Sequence, residues 1–262
     1  MSVTQEGSLF ILAHQDDEFA CACHIKSELR VGNRTYCIYL TNGSADGSKT
    51  ATRDRESRRA LAKLGVRAED IFFIGSENGI ADGALYRMLP AAYELVLRRA
   101  GAIPDLRKLY IMCWEGGHHD HDAGHLIGLR LARRLGIAEG LRQFPIYNGK
   151  DLPWRLFRVL SPLAEQGAIS RRRLTFAEAW QNIALCLGYP SQAKTWMGLL
   201  LPVAWHLLVR RVGTCQQVSL AAITQRPHGG RLLYERMFGI SFEDFEIYSR
   251  EFTTATLLEH PQ

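Results

Sequence analysis

The sequence predicts an α/β fold: a Rossmann-like, largely parallel sheet with helices on both faces and a C-terminal extension covering the candidate site. Three observations predict it. Short apolar, β-branched runs alternate with helical stretches through the first half, a pattern that implies right-handed crossovers between parallel strands. Two histidine and carboxylate clusters stand at the ends of separate runs, where open parallel sheets bind ligands. No repeat or low-complexity linker divides the 262 residues, so they read as a single domain 1–262 with a metal-binding core over 8–135 and a variable extension over 149–262.

Residues 9–13, 36–40, 71–74 and 109–113 have the length and apolar content of buried strands. Between them, residues 18–29 and 51–64 read as helices, the second with Ala60, Leu61 and Leu64 at helical spacing and Gly65 as a C-cap. Residues 86–99 and 122–135 read as two more, the last ending at Gly136. Leu40-Thr41-Asn42-Gly43 places a turn on the same rim as the two clusters. No GxGxxG or GxxxxGK[ST] pattern follows the first strand, so a dinucleotide or P-loop site has no support.

With 47% hydrophobic residues the chain can bury a substantial core. Its net charge of +5, from 32 basic and 27 acidic residues, mildly favours anionic partners and does not indicate nucleic acid. Arg171-Arg172-Arg173 is the one tight basic cluster and reads as a solvated loop. Residues 1–7 lack a charged start and apolar stretch, and the expected location is cytoplasmic. The six cysteines are scattered, four of them in apolar runs, so disulfides are not expected. Cys21-Ala22-Cys23 is read as part of a helix below the site rather than as a metal motif.

The clusters are Ala13-His14-Gln15-Asp16-Asp17-Glu18 and Gly116-Gly117-His118-His119-Asp120-His121. His14, Asp17 and His121 supply two imidazoles and a carboxylate, a donor set that suits zinc with one position left for water. Iron(II) is an alternative because similar nitrogen and oxygen sites hold several divalent ions. Asp16 adjoins Asp17 and, in an extended segment, points the other way, which suits it to take a proton from the bound water. His119 and His125 read as bystanders, with His125 either a partner of a ligand or, preferably, a packing residue.

These motifs resemble the PIG-L/LmbE-like family of zinc-dependent N-deacetylases, whose motifs read A-H-P-D-D-E and approximately G-G-H-x-D-H-D. Further similarity lies in Leu40-Thr41-Asn42-Gly43, in Arg53 with Glu56 on the helix ending Leu64-Gly65, and in Phe73-Ile74-Gly75, over residues 8–135. The resemblance implies that His14, Asp17 and His121 bind zinc, that Asp16 is the general base, and that a protonated His118 stabilises the tetrahedral intermediate or protonates the leaving amine. It also implies substrate contacts for Arg53 and Asn78. Arg53 has the alternative of pairing among Arg53-Asp54-Arg55-Glu56, and Asn78 that of a turn residue. Gln15 departs from the family's proline, and the expectation is altered loop rigidity without loss of activity.

Beyond the core, residues 175–187 read as an aromatic-rich helix. The apolar run 197–209 lies between Lys194 and Arg210-Arg211, is too short to span a bilayer, and is interrupted by Pro202 and His206. A buried helix or lid is the default reading. The alternative is an interfacial helix making peripheral membrane contact through residues 194–211, with exposed Trp196 and Trp205 beside the flanking cations. Residues 219–224 and 245–252 read as added strands. The expected activity is removal of an acetyl group from an N-acetylglucosamine-type sugar in a conjugate or biosynthetic intermediate. Rivals are an amidase for a larger acyl group or a non-sugar amide, and a metal-containing sugar or lipid-glycan binding protein. The sequence does not fix the oligomeric state.

Overall fold

Strand β1 (Gly7–Leu12) is buried at every residue and pairs in parallel with β2 (Arg34–Tyr39) on one side and β4 (Leu106–Met112) on the other. The structure, a computed structural model, describes residues 5–259, so part of the stretch 1–7 read above lies outside the described residues. β3 (Ile71–Phe72) joins the outer side of β2 and β5 (Leu141–Phe144) that of β4, also in parallel. Next come two antiparallel strands, β9 (Val212–Gln216) and then β8 (Ile169–Arg173), completing the order β3-β2-β1-β4-β5-β9-β8. A separate two-stranded ribbon pairs β6 (Tyr147–Asn148) with β7 (Arg158–Val159).

Alternation along the strands divides the core into two layers. Phe10, Leu12, Cys37, Tyr39 and Met112 face α1 (Glu18–Arg30), α2 (Thr50–Leu64), α6 (Phe176–Cys186) and α7 (Ala193–Trp205). Leu9, Ile11, Ile38 and Ile111 face α4 (Leu89–Gly101), α5 (His119–Arg134) and α9 (Phe242–Leu258). Short helices α3 (Ile74–Asn78) and α8 (Leu233–Met237) lie at the rim-side loops. The strand order reverses between β1 and β4, so the crevice beyond their carboxyl ends is the expected ligand position.

Several expectations are corrected. Residues 245–252 are helical within α9: Ser241 and Asp244 form a capping box, and Phe245, Ser249, Phe252 and Thr256 are buried at helical spacing. Residues 219–224 contain only a short 3-10 turn, Ala222–Thr224, while β9 forms where no strand was expected. Arg171, Arg172 and Arg173 lie on edge strand β8 rather than in a loop, with Arg172 paired to Glu178 at 3.0 Å. The stretch 197–209 is neither fully buried nor fully free. Trp196 is buried and meets Phe19 edge-on, whereas Trp205 is exposed. Among the described residues no helix is long and apolar enough to cross a membrane.

Candidate metal centre and active site

Both clusters sit at the crevice between β1 and β4. The first forms a tight turn: the Asp17 carboxylate accepts hydrogen bonds from the backbone N–H groups of Ala13 at 3.0 Å and His14 at 2.8 Å. Within that turn Asp16 takes a φ of +122°, so it is turned away from Asp17 by a left-handed backbone and not by strand alternation. Its N–H donates to Glu18 Oε2 at 3.0 Å, which helps to hold this conformation. The second cluster enters α5 earlier than expected, with His118 as N-cap and His121 in the first turn. Gly117 is required before it, since a Cβ there would run into the Tyr147 carbonyl oxygen.

The structure brings His14, Asp17 and His121 together. His14 Nδ1 is 3.2 Å from His121 Nε2, His121 Nε2 is 3.1 Å from Asp17 Oδ1, and His14 Nδ1 is 3.7 Å from Asp17 Oδ2. Ligands of a tetrahedral ion at ordinary bond lengths stand about 3.4 Å apart, so this buried nitrogen and oxygen triangle fits a divalent metal. Two other groupings, His14 with Asp82 and His118, and His118 with His119 and Asp120, are also close enough. In the second, Asp120 accepts from the N–H groups of Gly83 at 2.6 Å and Leu85 at 3.1 Å, and His118 Nδ1 accepts from Asp120 N–H at 3.1 Å; in the first, Asp82 meets His14 at Nε2, the nitrogen opposite the one that faces Asp17 and His121.

The other ring nitrogen of His14, Nε2, lies 3.2 Å from Asp120 Oδ2 and 3.2 Å from Asp82 Oδ1. These carboxylates orient the imidazole so that Nδ1 faces Asp17 and His121. Burial lowers the His14 pKa, but Asp82 and Asp120 outweigh it and the net shift is upward. Burial raises Asp17, yet His121 and His14 outweigh that and hold its carboxyl below the usual range.

Asp16 and Arg53 meet on the cavity side, with Arg53 Nη2 3.0 Å from Asp16 Oδ1. Arg53 is buried and also donates to the carbonyls of Gly43 and Gln15, so it braces the first cluster rather than pairing along its own helix. Burial pushes Asp16 up to about 7 against the opposing pull of Arg53. Gln15 is held from its side chain, donating to Asp54 Oδ1 at 2.7 Å and to the Thr41 carbonyl at 3.2 Å. Hydrogen bonds to α2 and to the end of β2 thus restrain the residue that stands in place of a proline.

Residues 9–132 match the family described as PIG-L, GlcNAc-PI de-N-acetylase. This core is therefore similar to that family over residues 9–132. Three solved structures share the architecture. The zinc-inhibited form of a teicoplanin deacetylase is 14% identical, with a TM-score of 0.61 over 81% of this chain and 98% of its own. An antimicrobial A40926 pseudoaglycone deacetylase is 17% identical, with a TM-score of 0.61 over 86% and 99%. The N,N'-diacetylchitobiose deacetylase from Pyrococcus horikoshii is 15% identical, with a TM-score of 0.54 over 81% and 84%. At these identities the likeness concerns the fold. No curated protein sequence matches the chain.

A cavity of about 440 Å³ opens over the cluster. His14, Asp16, Asp17, Arg53, Asp82 and His118 form its polar floor. Its walls are largely apolar, with Phe19, Ile146 and Phe157 on one side and Trp196, Leu199 and Phe238 contributed by the C-terminal third. Burial and the neighbouring His119 and His14 hold the His118 pKa well below its usual value. Burial thus favours the neutral imidazole, and because Nδ1 accepts from the Asp120 backbone N–H, the ring proton of that form sits on Nε2.

Asn78 is not brought to this site: it is exposed at the end of α3 and donates to the Ile74 carbonyl at 2.8 Å. Asp82, four positions later, faces His14 and Arg53 instead. The Ala81-Asp82-Gly83 sequence was the available signal, but without the turn geometry nothing distinguished it from a surface loop. His119 Nε2 faces the Gly83 carbonyl at 3.1 Å, and His125 Nδ1 the Met112 carbonyl at 2.8 Å, so neither joins the floor of the cavity.

Proposed function

We propose that this protein is a metal-dependent N-deacetylase acting on an N-acetylglucosamine-type sugar in a conjugate or biosynthetic intermediate. One observation carries the reading: the His14, Asp17 and His121 donors converge within 3.7 Å of one another, and Asp16 and His118 face the same cavity. A non-catalytic binding protein would need neither of the latter two groups. The donor set suits zinc, with iron(II) as the alternative.

His14, Asp17 and His121 would hold the metal, with Asp120 and Asp82 orienting His14. When bound, the metal supplies Lewis acidity toward the amide carbonyl and makes a water molecule acidic enough to be deprotonated near neutral pH. Asp16, kept in place by Arg53, takes that water proton. His118 donates its Nε2–H to the carbonyl oxygen as negative charge develops there. With the His118 proton engaged at the carbonyl oxygen, the proton required by the departing nitrogen comes from Asp16, which returns what it accepted. The products are acetate and a free amine, and the peripheral walls formed by Trp196, Leu199 and Phe238 govern which conjugate fits.

The apolar cavity wall specifically favours a second reading, an amidase for a longer acyl group or a non-sugar amide. Purified protein is offered one glucosamine conjugate carrying acetyl, butyryl or octanoyl groups, together with a non-sugar acetamide, and amine release is followed. Preference for the acetyl sugar by about 10-fold or more in kcat/KM supports the deacetylase reading; preference for octanoyl or for the non-sugar amide replaces it.

A further inference from the structure

We propose that the outward face of α7 is a docking surface for an anionic phospholipid bilayer. Met197, Leu201 and Trp205 recur at helical spacing and are 76%, 79% and 64% exposed, while Trp196 and Val203 on the opposite side are buried. The apolar stripe therefore faces solvent, the reverse of the usual orientation in a soluble domain. Val209 extends it into the following turn.

Charge selects the occupant. No aspartate or glutamate lies between Glu178 and Glu235, whereas Lys194, Arg210, Arg211, Arg226 and Arg231 do. Lys194 precedes the stripe, and Arg210 and Arg211 follow it. An apolar centre with cations at both ends and no anions complements a bilayer with an anionic headgroup layer over hydrocarbon. Trp205 adds a side chain suited to that boundary. At 13 residues α7 is too short to cross, so it lies along the surface.

The docking face is continuous with the cavity mouth. Lys194, Thr195 and Gly198 line the cavity from the same helix that presents the stripe. Membrane contact would therefore place the opening at the headgroup layer. Binding is independent of turnover, so this proposal stands or falls separately from the deacetylase reading.

Full-length protein is mixed with vesicles of phosphatidylcholine alone or containing about one quarter phosphatidylglycerol, and the bound fraction is measured by flotation. Binding to the anionic vesicles is expected, weaker by about 10-fold or more on phosphatidylcholine and in the combined variant Met197→Ser, Leu201→Ser, Trp205→Ser. Because these side chains are exposed, thermal melting should report an intact fold. A second variant, Arg210→Glu with Arg211→Glu, should also lose the preference for anionic lipid. Failure of the native protein to float, or equal flotation of the serine variant, overturns the proposal. A lipid-free dimer dissolved by the serine substitutions, with no vesicle binding, would assign the face to a second copy of the chain and overturn it equally.

Discussion

Arg53 Nη2 stands 3.0 Å from Asp16 Oδ1, and the same guanidinium donates to the Gly43 and Gln15 carbonyls. One side chain on α2 thus fixes the carboxylate of Asp16 and the backbone immediately before it. Arg53→Met should lower kcat/KM by about 100-fold through misplacement of Asp16, while metal content stays unchanged. Arg53→Lys should restore little, because a point ammonium cannot replace a planar fork serving three acceptors. Steady-state kinetics alongside elemental analysis separates this from a loss of metal, which would contradict it.

Asp120 acts through His14. Its carboxylate contacts His14 Nε2 at 3.2 Å while accepting from Gly83 and Leu85 backbone N–H groups. Asp120→Asn retains the shape but weakens the hold on the ring, and metal affinity should fall about 10- to 100-fold. Competition with a chromophoric chelator reads this directly. An unchanged affinity would remove Asp120 from the account.

His125 supplies a pH-dependent contribution to stability. Burial lowers its pKa from 6.5 to about 4, partly offset by the Met112 carbonyl. The unfolded chain therefore binds the proton first: the stabilisation is fully present above pH 6.5 and is lost as the pH falls toward about 4. The loss across that window should be about 3 kcal/mol. In urea titrations at several pH values, His125→Asn should show a correspondingly shallower acid dependence, and identical slopes for the two proteins would rule the effect out.

The cavity wall should sort substrates. Trp196 meets Phe19 edge-on with ring centroids 5.1 Å apart, and both line the opening. Trp196→Ala should raise KM more than it changes kcat, since the ring lies in the wall and not on the polar floor. A fall in kcat at constant KM would instead implicate the wall in positioning the reacting groups.

Much of the core was legible because its signals are local. The apolar runs ending at His14 and before His118, and Gly65 as a helix end, each follow from short-range pattern, and the strand order places both clusters at one switch point. Asp82 was missed because its role depends on a turn that returns the chain from α3 to His14 and Arg53. The misreading of residues 245–252 as a strand had a local remedy, the Ser241 and Asp244 capping box, which β-branched and aromatic content obscured. Residues 194–211 were harder, since an apolar stripe reads the same whether it faces inward or outward. The environment of His118 was hidden for a different reason: its burial and the Asp120 N–H at Nδ1 are facts of packing that no motif records.

The most direct test of the central claim pairs metal content with acetate release for native protein and Asp16→Asn, using an N-acetylglucosamine conjugate. The account predicts one divalent ion in each protein, acetate from the native enzyme, and a rate at least about 1,000-fold lower in the variant. A variant that holds the metal and releases acetate at the native rate would contradict it.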